Sequence, residues 1–241
     1  MPDAGAMTGA HLVLAPAAYR LAGRTLSEAE VAAIALAVAM GALVPGRAWR
    51  VGRLAVTAVH EGGHTAVAVL TGRTVTAVHL RADTSGATFH RGGRGWSSRL
   101  ATAVAGYPAP ALAGVAGAWL TAHHHSRVWL GVLAGLGALN LVLWVRNLFG
   151  VALMLAVVGG LGWLAHSGTS GVDGLVGAVI AWYLAIGGLR SVVEAFGFAG
   201  PSDASELGQL THLPAVVWKS WFVVVATVCV IVCAGLLFGV W

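Results

Sequence analysis

The chain reads as a series of apolar runs separated by short polar breaks. A membrane span needs about 20 mainly apolar residues. Seven segments are candidates: 26–44, 54–70, 100–120, 128–145, 148–164, 172–189 and 213–240. The first is short, the third contains Pro108 and Pro110, and only Arg146 and Asn147 separate the fourth from the fifth. Between the second and third segments the pattern changes. Residues 74–81 alternate β-branched or apolar residues with others, Asp83-Thr-Ser-Gly86 reads as a turn, and 87–91 reads as a second strand that ends at Gly92. That pattern predicts a β-hairpin. The expected fold is an all-α polytopic membrane protein with six or seven transmembrane helices and a short β-hairpin between the second and third segments. Residues 1–241 form a single integral-membrane domain, with a tail at 1–25, a helix at 54–71, the hairpin loop at 74–91 and a further loop at 200–212.

Composition supports the bilayer as solvent. Hydrophobic residues make up 58% of the chain and charged residues 10%, whereas soluble domains carry about 25% charged residues. Mean hydropathy is +0.81. The net charge of +5 raises nucleic acid as a partner, but the arginines cluster between apolar runs, as loops at a membrane face require. No nucleic-acid partner is expected. Glu28 and Glu30 precede the first apolar run and Pro45 follows it, which fits an uncleaved span better than a secretory signal. Cys229 and Cys233 read as small packing residues, and most of the 34 glycines as allowing close helix packing. Trp96, Trp119, Trp129 and Trp218 lie near segment ends and suit interfacial anchoring. Counting basic residues places the N-terminal tail, the hairpin and Arg190 on the cytoplasmic side, with Arg47, Arg50, Arg53 and Arg127 opposite.

The candidate chemistry sits in segment 54–70, LAVTAVHEGGHTAVAVL, where His60, Glu61 and His64 interrupt an uncharged run. On a helix, residues i and i+4 share a face, so both imidazoles can converge on one ion. Zinc accepts imidazole nitrogen, and its catalytic sites usually have three protein ligands. Glu61 can take a proton from water bound at the metal and pass it to a leaving amine. H-E-x-x-H on a helix is the metallopeptidase signature, and ionisable residues inside a span mark function by default. The bland alternative is that His60 and Glu61 hydrogen-bond to neighbouring helices. A metzincin would carry glycine at 67 and histidine at 70, where this chain has Val67 and Leu70. Spacing does not choose the third ligand among Asp83, Asp173, Glu194, Asp203, Glu206, His79, His90 and His212. His79 and His90 can face each other across the hairpin, His123-His-His125 reads as a solvated loop, and Asn140 and Asn147 sit near segment ends.

HEGGH in an early apolar segment, a β-like hairpin after it, Gly106-Tyr-Pro-Ala-Pro-Ala-Leu-Ala-Gly114, and Ser202-Asp-Ala-Ser-Glu-Leu207 with Pro214 together resemble a compact bacterial branch of the site-2 protease family of intramembrane zinc peptidases. The resemblance implies Zn2+ held by His60 and His64, with Glu61 as catalytic base. It also implies a late aspartate ligand, which better-known members carry in Leu-Asp-Gly. This chain lacks Leu-Asp-Gly; by position Asp203 is the counterpart. Asp203 with Glu206 also reads as a capping box opening a short helix. The expected function is zinc-dependent endoproteolysis of a transmembrane protein or peptide substrate, in a bacterial cytoplasmic membrane. The rival is a non-catalytic metal-binding membrane protein, a transporter or an assembly factor, on the same scaffold.

Overall fold

The computed structural model describes residues 19–21, 23–44, 46–92, 95–198 and 200–240; most of the expected tail lies outside them. A small antiparallel pair, β1 (Tyr19–Leu21) and β2 (Arg24–Leu26), comes first. It leads into α1 (Glu28–Leu43), whose N-cap is Ser27 in a capping box with Glu30. The second helix, α2 (Gly46–Leu70), carries HEGGH in its second half. The hairpin β3 (Thr74–Leu80) and β4 (Gly86–Arg91) follows. The remaining helices are α3 (Trp96–Ala105), α4 (Pro108–Ala122), α5 (Ser126–Leu143), α6 (Leu148–Ser167), α7 (Ser170–Ala195), α8 (Asp203–Thr211) and α9 (Ala215–Leu237).

Among the described residues, four helices, α5, α6, α7 and α9, are each long and apolar enough to cross a membrane, and the total reaches six if each bent pair counts as one span. Six, the lower of the two expected numbers, lies within this range of four to six, and seven lies above it. Two chemical causes account for the difference. Arg47, Arg50 and Arg53 lie in the first turns of α2, so this helix is not by itself apolar enough to count as a span and passes only together with α1, which it meets at 105°. Pro108 opens α4, and the chain bends by 60° between α3 and α4.

Helix α7 is the central post. Its Ala178, Ala181 and Ala185 pack against Ala32, Ala35 and Ala39 of α1, Ala118 of α4 and Cys233 of α9. Small side chains let backbones approach where no water drives association. A Cβ on Gly114 would lie 2.7 Å from both Ala181 O and Ala185 N. Helix α6 stands at the periphery, with 11% of its apolar window buried.

The two ends of α7 are chemically distinct. At its start, Gly171 lies against the Arg20 backbone, and Arg127 Nε donates to Asp173 at 2.6 Å. Toward its end, Glu194 pairs with Arg53 at 3.4 Å and accepts from Arg190 Nε at 2.9 Å. Arg47, Arg50, Arg53, Thr84 and Arg190 share one recess. The basic residues of α2 thus lie with the hairpin and Arg190, while the first strands lie at the opposite end. The charge count had grouped both the other way, because it treated Arg47–Arg53 as a loop on the far side of a span.

The hairpin is held on three sides. Its register runs from Thr74↔Arg91 to Leu80↔Gly86, with an irregularity between Val75 and Ala77. At the tip, Asp83 Oδ1 accepts from Ser85 N and Oγ at 2.9 and 2.6 Å, and Thr84 takes a positive φ of 69°. Val78 and Leu80 pack with Ala68 of α2 and Met154 of α6. The outer edge of β3 is filled by the α5–α6 connection. Val78 N donates to Trp144 O at 2.8 Å, Arg146 N donates to Val78 O at 3.3 Å, and Asn147 exchanges two hydrogen bonds with the Leu80 backbone. Asn147 therefore serves the sheet. His79 pairs with Ala87 and meets Phe89 edge-on, so it does not face His90, which pairs with Val75. Trp129 is buried against Gly117 instead of anchoring at an interface.

Candidate metal centre

On α2, His60 and His64 stand one turn apart with their Nε2 atoms 3.1 Å from each other. The helix can come close to the α3–α4 junction because two positions there lack a side chain. A Cβ on Gly63 would lie 2.6 Å from Ala109 Cβ and 2.7 Å from Ala105 O, and one on Gly106 would lie 2.7 Å from His60 Cε1 and strike His64 Nε2. The first glycine of the motif, Gly62, has open space where a Cβ would point. Tyr107 meets His60 edge-on at 4.9 Å. His64 Nδ1 lies 2.7 Å from Thr102 O. A carbonyl only accepts, so Nδ1 carries the proton and Nε2 keeps its lone pair toward His60.

Asp203 comes from the other end of the chain. Helix α8 is positioned by burial of Ala204 and Leu207 against Ala103, Val192 and Phe222, by Trp96 Nε1 donating to Leu210 O at 2.9 Å, and by the Arg99–Glu206 pair at 3.5 Å. The helix start does not use Asp203 as its cap. Ser202 is the N-cap and forms the capping box with Ser205, so the alternative reading of Asp203 as a cap with Glu206 does not hold. The Asp203 carboxylate is free to face the imidazoles. Its Oδ2 lies 3.1 Å from His60 Nε2 and 3.2 Å from His64 Nε2.

These three atoms form a near-equilateral triangle of electron-pair donors. Oδ2 of Asp203 is buried and has no hydrogen-bond donor. Such a cluster fits a cation. Donors ~2.0–2.1 Å from one zinc ion at tetrahedral angles stand ~3.3 Å apart, within a few tenths of the observed edges. His60, His64 and Asp203 are the group that could hold a metal ion among the described residues. The remaining candidates are not part of this triangle. Asp83 holds the hairpin tip and Glu194 pairs with arginines. Asp173, whose Val-Asp-Gly setting comes nearest to Leu-Asp-Gly, is paired with Arg127 at the far end of α7.

Glu61 stands three residues before His64 on α2 and is 5% exposed. The hairpin covers it: Thr88 Oγ1 donates to Glu61 Oε2 at 2.6 Å. The triad and Glu61 border one cavity of about 760 Å³, also lined by Arg53, Arg73, Arg99, Glu194 and Glu206. That volume is within the range of ligand sites, ~300–1,000 Å³. Sequence reading did not find Thr88, Thr102 or the steric roles of Gly63 and Gly106. Gly106 alone carried a signal, as the start of the Gly-Tyr-Pro stretch.

No curated protein and no solved structure matches the chain. The family model described as Peptidase M50B-like matches residues 33–233, a span that includes every residue of the candidate centre. The chain belongs to that family, the site-2 protease family.

Proposed function

We propose that this protein is a zinc-dependent intramembrane endopeptidase that cuts membrane-protein or peptide substrates in a bacterial cytoplasmic membrane. The observation that carries the reading is the meeting of His60 Nε2, His64 Nε2 and Asp203 Oδ2 at 3.1–3.2 Å beside a buried Glu61. His60, His64 and Asp203 hold the ion, and the Thr102 carbonyl fixes the ring of His64. Zinc bound there supplies Lewis acidity for the scissile carbonyl and the attacking water. Glu61 accepts a proton from that water and returns it to the leaving amine. The charged lining of the cavity gives water a polar path to the site. A substrate helix has to unwind first, because its amides are engaged. The extended segment then pairs with β4, since the outer edge of β3 is already filled.

The test is elemental analysis of detergent-purified wild type, His64→Ala and Asp203→Ala, with a cleavage assay on Glu61→Gln. The expected result is about one zinc per chain in the wild type, lost or weakened in both ligand variants. Glu61→Gln should keep zinc and lose cleavage. Zinc-free wild type sinks the reading, and zinc retained by Asp203→Ala removes Asp203 from the ligand set. A cellular phenotype that survives Glu61→Gln but not His60→Ala would replace the enzyme with a metal-binding, non-catalytic protein.

A further inference from the structure

Two threonine hydroxyls tie the hairpin to one face of α2, and Thr88 Oγ1 also lies 3.4 Å from the Glu61 backbone oxygen. Thr57 Oγ1 donates to Thr84 O at 2.9 Å, at the hairpin tip. One helical turn later, Thr88 Oγ1 donates to Glu61 Oε2 at 2.6 Å. Residues 57 and 61 are i and i+4, so they share a face. Both bonds dock the same strand pair on the same helix, but only the second touches the carboxylate. The other carboxylate oxygen is bounded too. A Cβ at Gly86 would lie 2.6 Å from Glu61 Oε1 and 2.6 Å from its Cγ. The side chain of Glu61 is therefore held between a hydroxyl on Oε2 and the bare Cα of Gly86 beside Oε1.

We infer that Thr88 is a positioning residue for Glu61, and that Gly86 is glycine to leave room for the carboxylate so placed. A Glu side chain has three rotatable bonds, and its rotamer freedom is costly to remove. A proton acceptor works only within hydrogen-bond reach of the proton it takes. The Thr88 hydroxyl occupies one lone-pair direction of Oε2 and directs the remaining acceptor sites. Thr88 belongs to the edge strand β4, so strand and base move together, and displacement of β4 also releases the carboxylate. This rests on the reading of Glu61 as the general base.

The test separates positioning from simple docking. Full-length, zinc-loaded protein in detergent is treated with dicyclohexylcarbodiimide, which attacks buried carboxyl groups, and labelling of Glu61 is followed by peptide mass spectrometry. Glu61→Gln identifies the labelled site. Thr88→Val should label about tenfold faster than wild type, the scale of losing one hydrogen bond to a charged group. Thr88→Ser should label at the wild-type rate, because it restores the hydroxyl. Thr57→Val, which loosens the same hairpin without touching Glu61, should also label at the wild-type rate. All variants should retain zinc. Labelling of Thr88→Val at the wild-type rate overturns the inference, and so does equal acceleration by Thr57→Val, which would make Thr88 a clasp only. Labelling needs no turnover, so it decides the role of Thr88 independently of the peptidase reading. With fluorescein-labelled casein as probe, Thr88→Val should lower kcat about tenfold and leave KM unchanged. Failure of wild type to cut casein, a soluble protein, removes only this kinetic comparison, and the labelling result still decides the role of Thr88.

Discussion

A methyl group added at Gly106 would sit 2.7 Å from His60 Cε1 and closer still to His64 Nε2. The backbone there is right-handed helical, with φ −64° and ψ −64°, so alanine fits the chain and only the contact is at issue. Overpacking of this kind costs about 1–3 kcal/mol. Gly106→Ala is expected to push both imidazoles off the triangle and weaken zinc binding by about tenfold or more, measured by competition with a chelator. An unchanged affinity would mean that the rings can turn aside without loss. His60, Glu61 and His64 were legible because the motif is local: one helix turn brings its residues together whatever the rest of the chain does. Gly106 was legible only as part of a resemblance, since nothing about a glycine in sequence says which ring it must clear.

Among the elements, the hairpin and α8 matter most. The alternation at 74–81 and the Asp-Thr-Ser-Gly turn specify a hairpin locally, and the structure has strands at Thr74–Leu80 and Gly86–Arg91. What alternation does not specify is the partner on the outer edge. Trp144–Asn147 supplies it, and Asn147 satisfies both backbone groups of Leu80. Asn147→Ala leaves those groups without partners, a loss of about 1–3 kcal/mol per buried group. Amide exchange across 74–80 should then rise by at least about tenfold, with zinc content unchanged because α2 and α8 are not touched. Helix α8 shows the opposite limit. In sequence Asp203 reads both as a ligand and as a cap with Glu206, whereas Ser202 with Ser205 caps the helix. The difference follows from tertiary demand: Arg99 takes Glu206, and the imidazoles take Asp203.

At the scale of the whole molecule, the ends of α7 divide the charges. Arg47, Arg50, Arg53, Arg190 and the hairpin tip lie at one end, with Lys219 bonded to Ala195 O beside them. Arg20 and Arg127 lie at the other end. By the positive-inside rule, the excess of arginine at the metal-site end predicts that this end faces the cytoplasm and the β1–β2 pair faces away from it. A cysteine placed at Arg50 should be shielded from a membrane-impermeant thiol reagent added to intact cells, and one placed at Arg24 should react; the reverse pattern would invert the orientation. The far end is pinned by Arg127 on Asp173, whose side chain is 3% exposed. Removing the arginine strands a buried carboxylate. Because Arg127 is itself half exposed, the expected loss is discounted to about 1–3 kcal/mol, read as a lower Tm of Arg127→Ala in detergent.

By itself the sequence determined the solvent, the helical class, the hairpin and the two imidazoles with their glutamate. Each of these depends on composition or on neighbours within a few residues, where periodicity and turn chemistry act directly. Only the tertiary structure decided the rest. It counted α2 with α1 as a bent pair, placed Arg47–Arg53 with the hairpin, set Thr88 on Glu61, and brought Asp203 of α8 to His60 and His64. These contacts join residues far apart along the chain, and their closure is fixed by the packing of α3, α8 and α9 around Ala103, Leu207 and Phe222, which no local pattern encodes.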